Sequence, residues 1–170
     1  GSVGKTGTKE MLNTVFSVFG QTHASEKSYN NHIGVPLTLA RMHPGTDYGI
    51  FEVGMNHANE ISPLSKLLEP DVVLITTIAP VHIENFDNGI EGIIDAKAEI
   101  FDGMKRRSIA ILNKNNDAYE KLKQKANDKI LRVYSFGAVN EADAKMLSCL
   151  EAANGSRTEA RIQNDKVSFT

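Results

Sequence analysis

The sequence predicts an α/β fold in which a mostly parallel, P-loop-type sheet carries helices on both faces. Two observations predict this core: residues 1–8 form a glycine-rich loop that opens into an amphipathic helix, and apolar runs then alternate with helical segments as far as residue 137. Such alternation requires crossover connections, which place neighbouring strands parallel. From residue 138 onward, turn signals separate short runs instead, which predicts an antiparallel C-terminal extension.

The opening residues G-S-V-G-K-T-G-T retain the Gly-Lys-Thr end of the phosphate-binding pattern G-x-x-x-x-G-K-[ST]. Small residues let successive backbone N–H groups point at phosphate oxygens, and the following helix adds the positive end of its dipole. Lys5 would reach the β- and γ-phosphates, and the Thr6 hydroxyl would bind Mg²⁺. The alternative is a chance tripeptide before a helix. The predicted nucleotide-binding residues are Gly1, Ser2, Val3, Gly4, Lys5, Thr6 and Gly7.

Hydrophobic periodicity places the remaining elements in order. A helix is predicted from residue 5 to about 19, ended by Gly20, with one buried stripe formed by Met11, Leu12, Val15, Phe16, Val18 and Phe19. A long loop follows over residues 21–34. Further helices are predicted at 36–43, at 60–68, at 88–104 with Asn88 as its cap, and in a charged segment ending near 127; strands are predicted at 48–53, 71–78, 108–112 and 130–135. Residues 141–152 fit a strand or a helix, and hairpin turns are expected at Asn154-Gly155 and Asn164-Asp165.

The composition is that of an ordinary globular protein. Of the 170 residues, 41% are hydrophobic and 24% are charged, and the net charge is −2. We see no basic excess that would indicate nucleic-acid or anionic-membrane binding, no apolar run as long as a membrane span, and no signal peptide. Cys149 is the only cysteine, which excludes an internal disulfide and fits a cytoplasmic location. Both ends interrupt predicted elements, so we interpret residues 1–170 as one central domain of a longer protein.

Two polar residues follow predicted strands at the edge where open α/β sheets bind ligands. Glu52 lies at the end of the strand at 48–53 and is either a ligand of Mg²⁺, direct or through water, or a solvated strand-end glutamate. His82 follows the strand at 71–78 and is either a metal or phosphate contact or a structural loop histidine. Lys97 by itself is typical of a solvated helix lysine, with Asp95 and Glu99 nearby in sequence.

Five ordered motifs resemble the central ATPase domain of the Mur ligases. They are the opening Gly-Ser-Val-Gly-Lys-Thr, the glutamate-containing segment 51–61, the segment 75–86 that includes His82, the Ala-Lys-Ala-Glu-Ile run at 96–100, and Leu112-Asn113 followed by Asp117. The resemblance covers residues 1 to about 140. Together with the segment Asn30–Thr38, it is most similar to the ligases that add D-alanyl-D-alanine to UDP-N-acetylmuramoyl tripeptide.

The resemblance implies a role for each candidate residue. Lys5 and the loop amides would hold the phosphates of ATP, and Thr6 and Glu52 would hold a first Mg²⁺. His82 would serve a second Mg²⁺ together with a carbamate formed when Lys97 reacts with CO₂. The remaining implied roles are catalysis for Lys5, His82 and Lys97, adenine and ribose contacts for Asn113 and Asp117, and contacts with the UDP-muramoyl peptide for Asn30, Asn31, Asn56 and His57.

The implied reaction is ATP-dependent amide-bond formation in peptidoglycan precursor synthesis, by way of an acyl phosphate. The partners would be UDP-N-acetylmuramoyl tripeptide and D-alanyl-D-alanine, and the enzyme a cytoplasmic monomer without a nucleic-acid partner. In such ligases an N-terminal domain binds the UDP moiety and a C-terminal domain brings the amine, so residues 1–170 alone are not expected to ligate. The alternatives are a diaminopimelate- or lysine-adding ligase, folylpolyglutamate synthase, a P-loop regulatory module driven by hydrolysis, and a catalytically dead binding fragment.

Overall fold

A computed structural model describes residues 1–152 and 155–170 of the chain. Its helices are α1 (Lys5–Phe16), α2 (Gly34–Arg41), α3 (Ile61–Leu68), α4 (Ile90–Ala98) and α5 (Tyr119–Asp128), with 3₁₀ turns at Ile83–Asn85 and Glu99–Phe101. Its strands are β1 (Thr22–Ala24), β2 (Tyr48–Ile50), β3 (Val72–Ile75), β4 (Ile109–Asn113), β5 (Arg132–Gly137), β6 (Ala144–Ala152), β7 (Gly155–Ile162) and β8 (Asp165–Phe169). None of the helices within these described ranges has the length and apolarity that crossing a bilayer requires.

The strands form two groups. β1 pairs with β2 in parallel, with His23 opposite Gly49. The larger sheet has the order β3-β4-β5-β6-β7-β8, in which β3 to β6 run parallel and β6 to β8 antiparallel. This topology confirms the predicted α/β fold, with its mostly parallel strands and its antiparallel C-terminal extension.

The hydrophobic core lies against the parallel part of the larger sheet. Alternate residues of β4, Ala110 and Leu112, are fully buried and join one apolar cluster with Ile93 of α4 and Leu122 of α5. The buried residues of the strand repeat every second position and those of the helices about every 3.6 positions, and the two sets pack against each other. Because β3 and β4 are parallel, their carboxyl ends lie at one edge of the sheet, where the opening loop also lies.

The predicted buried stripe of α1 is wrong at four of its six positions. Met11, Val15, Val18 and Phe19 are 64%, 55%, 79% and 72% exposed, whereas Lys9 is only 3% exposed. The helix packs on β1 and β2 through its other side, where the ring of Phe16 lies 4.8 Å from that of Tyr48. It also ends earlier than predicted, at Phe16.

The segment predicted as a long loop contains a strand, β1. Its sequence, Thr-His-Ala, has neither apolar alternation nor β-branched enrichment, so pairing with β2 rather than propensity defines it. β2 is correspondingly short, because only Tyr48–Ile50 has a partner strand within the described residues. Glu52 therefore lies just beyond the strand rather than inside it.

Asn88 does not cap α4, contrary to the prediction. Gly89 precedes the helix with a positive φ of 56°, and no side chain caps the first turn. Glycine adopts this conformation without steric cost, so the chain turns into the helix one residue after Asn88. The α-helix ends at Ala98 and tightens into the 3₁₀ turn Glu99–Phe101 instead of continuing to residue 104.

The C-terminal extension is a three-stranded antiparallel meander. Residues 144–152 form the strand β6, so the helical alternative for 141–152 is excluded. β6 and β7 pair as a hairpin through Ala152 and Gly155, and Asn154 of the expected turn lies outside the described residues. The second turn consists of residues 163–164, one residue before the predicted Asn164-Asp165, because Asp165 already pairs with Ile162.

Candidate active site

The opening loop is fastened to the carboxyl end of β3. The Ser2 backbone N–H donates to the Thr77 carbonyl at 2.6 Å, and the Ser2 hydroxyl donates to the Ala79 carbonyl at 3.0 Å. In return the Thr76 hydroxyl donates to the Val3 carbonyl at 2.6 Å. These bonds fix the loop at the sheet edge where α/β folds bind their ligands.

Glycines allow the loop to approach this closely. A Cβ on Gly1 would lie 1.9 Å from the Thr76 hydroxyl oxygen and 2.9 Å from the Thr77 backbone nitrogen. Gly4 has a φ of 82°, which favours glycine because it lacks a Cβ. The glycine pattern predicted as phosphate-binding is therefore a requirement of the backbone path at both positions.

Lys5 begins α1 and bends back over the loop. Its ammonium donates to the Ser2 carbonyl at 3.2 Å. Among the described residues no side chain caps the N-terminus of α1, so its first amides are free to bind an anion. A lysine, uncapped amides and a helix dipole converge here, as phosphate binding requires.

Glu52 is a buried carboxylate that binds two neutral donors. It is only 4% exposed, and its two oxygens accept from the Thr6 hydroxyl and from the Asn30 amide, each at 2.8 Å. No ion pair of the described residues includes Glu52. A buried carboxylate without a cation is costly, and a bound metal ion would compensate its charge.

Lys9 and Ser25 hold Glu52 in place, and sequence reasoning missed both. The Ser25 hydroxyl accepts from the Glu52 backbone N–H at 3.1 Å. The ammonium of Lys9 donates to the carbonyls of Ser25, at 2.6 Å, and Lys27, at 2.8 Å. The available signal was the four-residue spacing from Lys5, which places Lys9 on the same face of α1 as the phosphate-binding lysine.

One cavity of about 150 Å³ is lined by seven of the sixteen predicted site residues. Because its walls come from the opening loop, from the segments after β1 and β2, from the turn after β3 and from α4, only the folded chain assembles it. The predicted site residues that do not line it are Gly1, Val3, Gly4, Thr6, Gly7, Glu52, His57, Asn113 and Asp117. Its lining residues are Ser2, Lys5, Asn30, Asn31, Gly54, Met55, Asn56, Glu60, Val81, His82 and Lys97.

Lys97 lines this cavity from α4 and is not a solvated helix lysine. Its side chain is 8% exposed. Burial, assisted by the nearby charge of Lys5, lowers the pKa of Lys97 to about 8. The amine is therefore partly neutral near physiological pH, which is the state that reacts as a nucleophile.

His82 reaches the cavity from a strained turn. Its φ is 59°, in the left-handed region, and it precedes the 3₁₀ turn Ile83–Asn85. Asn116 stabilises the preceding segment by donating to the Thr77 hydroxyl at 2.9 Å and to the Ile78 carbonyl at 2.8 Å. The imidazole is half exposed and lies 3.9 Å from the Glu84 carboxylate, so it remains accessible to a ligand.

Two loops supply the remaining polar wall. Asn31 lines the cavity while its side-chain oxygen accepts the backbone N–H groups of Ile33, at 3.1 Å, and Gly34, at 2.8 Å. After β2, the carboxylate of Glu60 accepts the amide of Asn56 at 2.7 Å and contacts the imidazole of His57 at 3.2 Å.

The Asn56 amide contributes most to holding the pKa of Glu60 below its ordinary value. Asn56 faces the cavity, but His57 is not among the residues that line it.

Asn113 and Asp117 lie apart from this cavity. The Asn113 amide donates to the Thr76 carbonyl at 2.9 Å, and its oxygen accepts the Asn115 N–H at 3.0 Å, so the side chain braces the end of β3. Asp117 lines a second cavity of about 380 Å³ together with Lys114 and Tyr119. Their predicted contacts with adenine and ribose stay predictions.

The residues present fit a hard divalent cation at Thr6 and Glu52. The donors are oxygens, as Mg²⁺ prefers, and the buried carboxylate has no cationic partner in the described ranges. No group of three or more His, Cys, Asp or Glu residues that could bind a metal occurs in residues 1–152 and 155–170. Protein side chains alone therefore make an incomplete site, which suits a metal that keeps water or phosphate ligands.

Comparison with known proteins identifies the family. Residues 1–169 match the family model described as the Mur ligase middle domain. The chain belongs to the Mur ligase family. The resemblance noted in the sequence is thereby confirmed, and it extends beyond residue 140 to include the antiparallel strands.

Relatives of this Mur ligase middle domain carry a common name. The chain is 42% identical over 171 residues to the UDP-N-acetylmuramoyl-tripeptide–D-alanyl-D-alanine ligase of Rickettsia prowazekii. The match covers all of this chain and 38% of that relative. The chain is 41% identical over 117 residues to the Escherichia coli enzyme of the same name, and this match covers 69% of this chain and 26% of that protein.

A solved structure has the same fold. MurF from Acinetobacter baumannii superposes with a TM-score of 0.90 at 27% identity, over 99% of this chain and 36% of that one. The chain thus spans little more than a third of the length of these relatives.

Proposed function

We propose that this chain is the ATP-binding middle domain of a ligase that joins D-alanyl-D-alanine to UDP-N-acetylmuramoyl tripeptide. The observation that carries the proposal is the single cavity shared by Lys5, His82 and Lys97, beside the contact between the Thr6 hydroxyl and the buried carboxylate of Glu52. The names of the relatives support this substrate pair. The cytoplasm supplies ATP, and the exposed free Cys149 fits its reducing conditions.

The first step is phosphoryl transfer to the peptide substrate. A carboxylate oxygen of the tripeptide attacks the γ-phosphorus of ATP, and the bond from that phosphorus to the β–γ bridging oxygen breaks. ADP is released, and the peptide carries an acyl phosphate. Lys5 and the uncapped amides of α1 lie where they would neutralise the charge on the transferring group. Positioning and charge neutralisation are the main contributions that a protein makes to this reaction.

Two Mg²⁺ ions, when bound, would supply further neutralisation of phosphate charge. Thr6 and Glu52 would hold the first, with Asn30 keeping the carboxylate oriented. His82 and a carbamate on Lys97 would hold the second, because carbamylation converts an amine into an oxygen ligand. The lowered pKa of Lys97 supports this modification.

In the second step the amine nitrogen of D-alanyl-D-alanine attacks the acyl carbon. A tetrahedral intermediate forms, phosphate leaves with the former carboxylate oxygen, and the nitrogen loses its extra proton to give the amide. Asn30, Asn31 and Asn56 line the cavity with amide groups suited to orienting the peptide, and His57 lies at the next position. Asn113 and Asp117, at the ends of the neighbouring strand and loop, would contact adenosine.

The test follows the product of the full-length protein that contains this chain. We expect mass spectrometry to detect the D-alanyl-D-alanine adduct only with ATP present, together with ADP and phosphate. A product with diaminopimelate, lysine or glutamate but not with D-alanyl-D-alanine would assign the protein to a related ligase. Phosphate release without any amide product would favour a regulatory module.

Two substitutions test the site itself through ATP affinity. Lys5→Ala is expected to weaken ATP binding about tenfold or more with and without Mg²⁺, because a charged phosphate contact is lost. Glu52→Ala is expected to abolish only the increase in ATP affinity that Mg²⁺ produces. Lys105→Ala serves as the control, since this exposed lysine pairs with Glu69 on the surface. Unchanged affinity in both site variants would contradict the proposal.

A further inference from the structure

The carboxylate of Glu99 caps a helix that lies far from it in sequence. It accepts the backbone N–H groups of Asn59 at 2.6 Å, Ile61 at 3.1 Å and Ser62 at 3.0 Å. These are the amides at the N-terminus of α3, which has no cap from its own first residues. A carboxylate at this end of a helix satisfies unpaired donors and interacts favourably with the dipole.

The capped helix end is continuous with a wall of the cavity. Segment 54–60, which runs from β2 into α3, contributes Gly54, Met55, Asn56 and Glu60 to the lining. The Glu60 side chain bonds to amides of its own loop and so is not available to cap α3.

Asn59 has a φ of 68°, a conformation that non-glycine residues adopt rarely. Its N–H bond to Glu99 helps to hold this strained turn, so that the loop shape depends on Glu99.

Glu99 is rigidly attached to the helix that carries Lys97. It is the first residue of the 3₁₀ turn that follows α4. The next turn is packed tightly onto α3, because the Ser65 hydroxyl donates to the Ile100 carbonyl at 2.5 Å and accepts the Gly103 N–H at 3.0 Å. Glu99 therefore links the helix that carries Lys97 to the loop 54–60 and the start of α3.

We propose that Glu99 is a positioning residue that sets the loop 54–60 against Lys97 and so controls binding of the muramoyl-peptide substrate. This proposal rests on the function proposed above. Glu99 bonds Asn59 in the loop whose Asn56 faces the cavity, and Glu99 is not itself among the residues that line the cavity. The opening loop is fastened separately, to the end of β3, so ATP binding should not depend on Glu99.

The experiment compares kinetics of the full-length ligase and its Glu99→Gln variant, which keeps the shape of the side chain but loses its charge. We expect KM for UDP-N-acetylmuramoyl tripeptide to rise about tenfold and KM for ATP to change by less than about twofold. Glu91→Gln is the matched control, because Glu91 lies in α4, the helix that directly precedes Glu99, and pairs with Lys121 at the surface. Equal changes in both KM values, or no change in either, would overturn the proposal.

Hydrogen exchange provides a readout that does not depend on the reaction. The amides of Asn59, Ile61 and Ser62 should exchange faster in Glu99→Gln than in the wild type or in Glu91→Gln. If wild-type protein forms no product, the function fails while this measurement still tests the cap. If Glu99→Gln does not fold, Glu99→Asp, which keeps the charge on a shorter side chain, replaces it. We expect this variant to raise KM for the peptide substrate by less than tenfold. An unchanged peptide KM in Glu99→Asp would overturn the proposal.

Discussion

Burial changes the chemistry of Lys97 more than its neighbours in sequence do. With its pKa lowered to about 8, the Lys97 amine is neutral in about half of the molecules at pH 8. A lysine with the ordinary pKa of 10.5 is neutral in only about 0.3% of the molecules at that pH. CO₂ reacts with neutral amines only. The proposed carbamylation would therefore favour Lys97 over the exposed lysines.

The carbamate should show the pH dependence of this amine. In metal-free full-length protein supplied with ¹³C-bicarbonate, we expect a protein-bound carbamate signal in ¹³C NMR that grows as the pH rises through about 8, because deprotonation produces the reactive form. Lys97→Met should remove the signal. A signal that survives in Lys97→Met would place the carbamate on another lysine.

Lys5→Met tests how much the charge of Lys5 contributes to the lowered pKa of Lys97. The charge of Lys5 contributes to the low pKa of Lys97, so its removal favours the ammonium and raises that pKa. The onset of the carbamate signal should move to higher pH. An onset that moves to lower pH would show that the two side chains do not interact in this way.

The sequence could predict individual site residues where a local pattern determines them. Gly4 and Lys5 belong to a loop whose spacing is local, and Glu52 follows an apolar run at the sheet edge. Lys9 and Glu99 could not be predicted, because their partners lie at Ser25 and in the segment 59–62, and only tertiary packing brings these together.

At the scale of elements, Gly103, just after the 3₁₀ turn Glu99–Phe101, lies very close to the backbone of α3. A Cβ on Gly103 would lie 1.9 Å from the Ser65 carbonyl oxygen and 2.6 Å from the Lys66 nitrogen. We expect Gly103→Ala to destabilise the protein by about 1–3 kcal/mol, as overpacking does, measured by urea unfolding.

Gly7→Ala is the matched control, because a Cβ there meets nothing within 4 Å and lies in α1. It should stabilise the protein by about 0.5–1 kcal/mol, since alanine favours helix. Equal stabilities for the two variants would show that the close approach is absent in solution.

Elements were predictable where periodicity and burial agree. β3, β4 and α5 have apolar patterns that match their packing. β1 was not predictable because its three residues are defined by pairing with β2 alone. The stripe of α1 was misassigned because apolar residues at helical spacing also occur on its exposed side, while a lysine occupies the buried one.

At the scale of the whole molecule, the parallel topology brings five separate segments to one cavity. The opening loop, the turns after β1, β2 and β3, and α4 each contribute residues, and no two of these segments are adjacent in sequence. Strand direction explains part of this convergence, since the carboxyl ends of parallel strands share one edge within each of the two sheets, that of β1 and β2 and that of β3 and β4. The order of elements predicted the positions after β2 and β3, whereas β1 and the distances between the segments were not predictable.

The size of the cavity predicts how the isolated chain behaves. Its volume of about 150 Å³ is below the ~300–1,000 Å³ typical of small-molecule sites, so a nucleotide seated there would keep much of its surface in water. We expect the purified 170-residue chain to bind Mg-ATP at least about tenfold more weakly than the full-length protein in calorimetry. It should form no amide product in the mass-spectrometric assay, because under the proposed function the surfaces that bring the amine belong to a separate domain of the ligase. Acyl transfer by the isolated chain, or ATP affinity equal to that of the full-length protein, would contradict this prediction and show that residues 1–170 contain a complete active site.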